Sequence, residues 1–159
     1  MYLGEIQKTS GRVRAILKDV KTGKITQYIH WNKNLITLVG LTALARGAGN
    51  IGLVANEGEI TYGAVGNGSG MITNASISLE NEIERKAIAT ASVTDQTLTI
   101  ETYFTSAEAN DTITKFALFG EDASAAADSG TMFNHAAFLS SFVKSSTEDL
   151  TVTVEIVFT

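Results

Sequence analysis

The run LENEIERK, residues 79–86, sets three carboxylates two residues apart. In an extended chain Glu80, Glu82 and Glu84 share one face, with neighbours about 6.6 Å apart. Carboxylates at such distances serve glycoside hydrolysis or metal binding. A row of three more often forms a solvated face or meets basic side chains. Arg85 and Lys86 follow directly, so Glu82, Arg85 and Lys86, together with Asn110 further on, are read as inter-strand or inter-subunit contacts, and a hydrolase using Glu80 or Glu82 is the weakest reading. The glycine-rich stretch GAVGNGSG, residues 63–70, raises the question of a phosphate cradle. Such a loop needs a following helix whose first N–H groups face the anion, and a Walker loop also needs Lys before Ser or Thr. MITNASISL follows instead, without helical period, and the next lysine is Lys86. The glycines therefore read as a tight reversal between strands. His30 and His135 sit beside apolar residues in strand-like runs, and neither has an HxH or HxxxH partner. No GxSxG elbow marks a nucleophile. EDASAAADSG, with Asp122, Ser124 and Asp128, lacks the closing glutamate of a calcium loop. The sequence therefore assigns no catalytic, cofactor or metal site, and a non-enzymatic role follows.

Charge is unevenly spread. The first 46 residues hold eight Lys/Arg against two acids, and the remainder holds four against fifteen, within a net charge of −5. Arg12, Arg14 and Lys18 fall on one strand face, and Lys21 and Lys24 flank the turn at Gly23. These five form the candidate docking interface. The partner that fits is an acidic surface, on a neighbouring copy or on another protein, because opposed patches steer association. No nucleic-acid motif accompanies the cations. No apolar run reaches membrane length, and MYLGEIQKTSGRVR has no signal-peptide core, so a protein made in a cytoplasm and not inserted in a membrane is expected.

Elements able to carry these groups are mostly strands. With 159 residues the chain forms one domain, residues 1–159, with a basic arm and hairpin over about 1–33. It has neither cysteine nor proline, so Gly, Asn, Asp and Ser must make its turns. Val13, Ala15 and Leu17 alternate with the basic residues, and after KTGK the residues Ile25, Ile29 and Trp31 alternate with Thr26, Tyr28 and His30. NKNLITLVGLTALARG changes to helical spacing and predicts one short helix near 35–46, with Asn34 as N-cap and Gly47 as stop. Further strands follow in ITYGAV, in the threonine-rich runs either side of Asp95–Gln96, in TITKFALFG and in TMFNHAAFL. In the last strand Leu150, Val152, Val154, Ile156 and Phe158 share one face. A chain ending there must pair that strand or leave a sticky edge, which favours self-association. Seven to nine strands with one helix predict a mainly β fold, an antiparallel β-sandwich of jelly-roll type.

ITYGAVGNGSG, LENEIERKAI, LTIETYFTSAEANDTITKFALFG, GTMFNHAAF and VKSSTEDLTVTVEIVF occur in succession from about Leu35 to Thr159. This succession resembles small structural proteins of tailed bacteriophages and prophages, of the tail-fibre or minor virion type. The matching pieces are Asn34–Ile36, Asn81–Lys86, Glu108–Ile113, Leu118–Gly120 and Lys144–Phe158. The family often carries an acid where this chain has Lys115, and a basic residue near His135 followed by a proline-containing loop where this chain has LSSFVK. The resemblance implies a virion component without catalytic residues, made in the bacterial host cytoplasm, assembling with itself (a trimer by analogy with phage fibres and capsid ornaments) and with other virion proteins. It implies attachment at a tail tip, baseplate or fibre base, or on the capsid surface as a decoration protein. In its EANDT corner Asn110 is expected to bond back to the backbone and start a turn. The alternative is a carbohydrate-binding β-sandwich for host-surface glycan, with Trp31, Tyr28, Tyr62 and Tyr103 as its aromatic platform.

Overall fold

The structure is a computed structural model and describes residues 9–49 and 58–158. Tyr2 and Leu3, and most of the loop expected over residues 48–60, lie outside the described residues. Among the described residues nine strands and one helix follow one another: β1 (Thr9–Asp19), β2 (Ile25–Ile36), α1 (Leu38–Gly49), β3 (Ile60–Gly66), β4 (Glu82–Ala87), β5 (Thr90–Thr94), β6 (Thr97–Phe104), β7 (Thr112–Gly120), β8 (Thr131–Val143) and β9 (Glu148–Phe158). All pairings are antiparallel. The ladder joins the strands in one curled sheet in the order β4-β3-β7-β8-β2-β1-β9-β6-β5. The fold is mainly β as the alternation implied, in one continuous sheet where two separate sheets were expected.

Two strands that change partners produce the curl. β2 pairs with β1 as far as Asn34 and then with β8 through Leu35↔His135 and Ile36↔Asn134. The segment from β4 to β5 does the same: the Ile88 N–H still bonds to Thr61 O beside β3, while the Ala89 N–H bonds to Glu101 O of β6. Strands that switch partners turn the corners of folded sheets. Where β2 and β8 part, side chains span the seam: Gln27 Nε2 donates to Val143 O at 2.9 Å and Asn32 Nδ2 to Ala137 O at 3.4 Å.

The curl lets one apolar interior serve both arms. Val13, Ala15, Leu17, Leu150, Val152 and Val154 are fully buried, and they join Ile113, Phe116 and Leu118 from the other arm. Each of these side chains larger than alanine contributes on the order of 1.5–3 kcal/mol before chain entropy is counted. The alternate residues Ala64, Ala117 and Phe119 form a second cluster with Met132 and Leu79. β9 lies between β1 and β6, so the strand expected to seek an outside partner has both edges satisfied within the chain. The ends of the ladder are β4 and β5.

The helix starts three residues later than the periodicity predicts. Leu35 and Ile36 are held in β2 by β8, and Thr37 caps the helix, its hydroxyl accepting the Gly40 N–H at 2.9 Å. Asn34 is buried against Gly11 instead of capping. Gly40 is needed because a Cβ there would lie 2.5 Å from the Phe133 carbonyl oxygen. Gly47 lies inside the helix and does not end it.

Gly63 of β3 meets Thr102 of β6 across the two arms. A Cβ on Gly63 would stand 2.1 Å from Thr102 Oγ1 and 2.8 Å from the Phe116 ring. Gly63→Ala is therefore expected to lose about 1–3 kcal/mol in urea unfolding. Thr102→Ala in the same chain should return part of that loss; full stability of the single variant would show that the arms do not press together there.

Candidate functional site: a basic and aromatic sheet face

The outer face of β1, β2 and β9 gathers most of the predicted docking residues. Register sets Arg12 between Lys33 and Glu155, Arg14 beside Thr153, Ile16 between Tyr28 and Thr151, and Lys18 beside Asp149. The β1–β2 register shifts between Val13↔Asn32 and Ala15↔Ile29, so Arg14 faces both His30 and Trp31. Such a bulge reverses which residues point outward. Trp31 was expected on the face of Ile25 and Ile29; the bulge carries it to the arginine side. There the guanidinium carbons of Arg12 and Arg14 lie 4.4 and 4.8 Å from its ring centroid. Both cations are attracted to the π face of one indole. Arg12 also donates from Nε to Glu155 Oε2 at 2.6 Å, and the Tyr28 and His30 rings meet edge to face at 4.9 Å.

The lysines differ from the arginines. Lys18, Lys21, Lys24 and Lys33 are exposed. Among the described residues Lys18, Lys24 and Lys33 make no ion pair, and Lys21 only feels the field of Asp19. Asp19 Oδ1 accepts from the Lys21 N–H at 3.1 Å and the Thr22 N–H at 2.7 Å, and Gly23 supplies the positive φ of 68° that the reversal needs. The Thr22 N–H, with its hydroxyl, also holds the Asp19 carboxyl below its ordinary pKa. The turn thus presents Lys21 and Lys24 at a defined end of the face.

The row Glu80, Glu82, Glu84 does not form. Asn81 takes a positive φ of 48°, and β4 begins only at Glu82. Glu80 turns back into the glycine loop, where its Oε2 accepts the Gly70 N–H at 2.6 Å and Lys115 Nζ at 2.7 Å. The Lys115 bond first and the Gly70 N–H second hold its carboxyl below the ordinary range. A Cβ at Gly68 would stand 2.4 Å from Glu80 Oε2. The glycine stretch therefore cradles an anion after all, a carboxylate of its own chain. Glu82 pairs with Arg85 through two bonds of 2.7 and 2.8 Å, with side chains 5% and 1% exposed. Arg85 also lies 3.9 Å over the Phe119 ring and donates to Ser129 O at 2.7 Å, tying the 121–130 loop to β4.

Lys86 pairs with Glu108 at 2.6 Å, which raises the lysine pKa and, with the Thr105 N–H, lowers that of the carboxyl. Asn110 ends the corner and does not start it: Nδ2 donates back to Ser106 O at 2.8 Å, and Oδ1 accepts from buried Lys144 Nζ at 2.9 Å. Arg85, Lys86 and Asn110 thus find their partners inside one chain.

His135 is buried, with neither ring nitrogen hydrogen-bonded among the described residues. Burial first, then the field of Lys115, pushes its pKa down to about 4 against the opposing field of Glu80. Among the described residues no three His, Asp or Glu side chains gather as metal ligands, and no helix is long and apolar enough to cross a membrane. Of the four aromatics considered for glycan stacking, Trp31 lies against two guanidinium groups and Tyr62 packs on the second core cluster. Tyr28 and Tyr103 are half-exposed but belong to strands separated by β1 and β9. Sequence reasoning missed the Trp31 stack and the Glu80 cradle. The first depends on a bulge and the second on a positive φ at an asparagine, and alternation reports neither. Comparison with protein-family models, curated proteins and solved structures finds no significant match.

Asn110→Ala would leave the Lys144 ammonium buried without its amide acceptor, at a cost of about 1.5–3 kcal/mol in denaturant unfolding; an unchanged midpoint would mean the corner does not rest on Asn110. His135 makes a separate prediction. Its folded pKa lies below its unfolded value, so the unfolded chain takes the proton first. Stability is full above about pH 6.5 and falls as pH drops toward 4, by on the order of 3 kcal/mol. His135→Phe should flatten the pH 6.5–4.5 slope of thermal stability, whereas an unaltered slope would assign it to carboxylates.

Proposed function

We propose that the chain is a non-enzymatic structural component of a tailed-bacteriophage particle, seated by its basic sheet face on an acidic surface of a neighbouring virion protein. The observation that carries this reading is the set of exposed lysines Lys18, Lys21, Lys24 and Lys33. They stand on or beside strands whose inner faces are core, next to Arg12 and Arg14 locked on Trp31. Cations fixed on a rigid scaffold lose little freedom on docking, and most of these have no acid of their own to release. The carboxylates that a hydrolase would need are engaged instead. The Lys115 bond and the Gly70 N–H hold the Glu80 carboxyl below its ordinary range, and both oxygens of Glu82 are taken up by Arg85. The motif succession resembling phage structural proteins supports the same reading. In it the two arms act as the layers of a β-sandwich of jelly-roll type, with the switching strands at its corners.

The test is mass spectrometry of phage particles purified from the bacterial host. The chain should be present at constant copy number per particle. It should wash off as salt rises, since charges beyond about 10 Å are screened at 0.1 M. A Lys18→Glu, Lys24→Glu, Lys33→Glu variant should fold normally and be missing from particles. Absence of the unaltered chain from particles, or attachment indifferent to both salt and reversal, would overturn the reading.

A further inference from the structure

We propose that β5 is a self-pairing edge through which two copies of this chain join, antiparallel, across a two-fold axis at Ser92. This goes beyond attachment by the basic face and does not depend on it. Among the described residues β5 ends the ladder and pairs only with β6. All five of its residues are exposed, Val93 by 70%. Natural edges are blunted by charge, proline or a bulge that twists them away. The opposite edge follows that rule, since β4 carries Glu82, Glu84, Arg85 and Lys86. β5 reads Thr-Ala-Ser-Val-Thr, with neither charge nor proline.

The sequence is its own complement. Antiparallel pairing about Ser92 sets Thr90 against Thr94 of the partner subunit, and Ala91 against Val93 of the partner subunit. Threonine pairs and small apolar pairs are both favourable across strands. Backbone geometry agrees. β5 and β6 join through Asp95–Gln96, with Asp95 at φ 52°, and Thr94 pairs with Thr97. A two-residue hairpin closes on a hydrogen-bonded pair. Thr94 and Ser92 therefore turn their N–H and C=O toward β6, and Ala91 and Val93 turn theirs outward. Those are the groups a second copy would bind, and Ser92 then meets its counterpart in the close, non-hydrogen-bonded spacing of about 4.5 Å between Cα atoms. Ala91 and Val93 lie opposite Ile100 and Leu98 on the core side of the sheet. Pairing would thus prolong the apolar face and cover Val93. Five residues bury far less than the roughly 1,200 Å² of a stable interface, so the pairing is weak alone and gains when another contact holds the copies close.

The test uses the full chain with Ser92→Cys under mild oxidation. Its Cα spacing falls in the range a disulfide accepts, and covalent dimers should form at least tenfold faster than for Thr73→Cys, in an exposed loop, or for Thr94→Cys, which sits off the axis. Sedimentation of the unaltered chain should show concentration-dependent dimers that Val93→Lys, at an exposed site, abolishes with unchanged thermal stability. Ser92→Cys that crosslinks no faster than the two controls, or self-association that persists in Val93→Lys, would overturn the proposal. A trimer as the sole associated state would do the same.

Discussion

One apolar interior must be shared by strands that all belong to a single ladder, and two partner switches meet that demand. A flat sheet of nine strands would leave half its apolar alternation wet. At Asn34–Leu35 the chain leaves β1 for β8, and at Ile88–Ala89 it leaves β3 for β6. Each switch exchanges one set of backbone hydrogen bonds for another without leaving a run of buried groups unpaired, which the cost of orphaned N–H and C=O would forbid. Folded at these two places, the arms bring Phe116 and Leu118 onto the same core as Val13 and Val154. Gly63 against Thr102 marks how closely they approach.

The charges divide by the same geometry. At the corners and loops, acids and bases meet within the chain: Glu80 with Lys115, Glu82 with Arg85, Glu108 with Lys86. The buried Glu82–Arg85 pair is better regarded as a positioning device than as a source of stability, because removing two charges from water offsets most of their attraction. It fixes the 121–130 loop against β4 through Ser129. On the outer face of β1 and β2 the pattern is different. Arg12 finds Glu155, but the lysines around it project into solvent.

How far the sequence is legible depends on which rule governs each residue. Period-two alternation identified the buried faces of β1 and β9, because only burial decides them. It failed where a single backbone irregularity reverses the pattern. The bulge opposite Arg14 moved Trp31 to the outer face, and the positive φ at Asn81 dissolved the carboxylate row. The helix start was misplaced because Leu35 and Ile36 satisfy both the helical period and a strand, and their partners on β8, a hundred residues away, decided the matter. The long-range order of the strands, and with it which strand ends the sheet, has no local signature. β9 looked like the edge because it comes last, whereas β5, a short threonine run, occupies that place. Of the basic and aromatic face the cations were legible from composition, and their clamp on Trp31 was not.

The central claim is that the two switching strands bind both arms into one cooperative body. Native-state amide hydrogen exchange tests it most directly. The account predicts that the slowest amides of β7 and β8 and those of β1 and β9 report the same opening free energy and the same dependence on denaturant. If the β3–β4–β7–β8 arm opened at markedly lower free energy, while β1, β6 and β9 stayed protected, the two halves would be separable and the account would be contradicted.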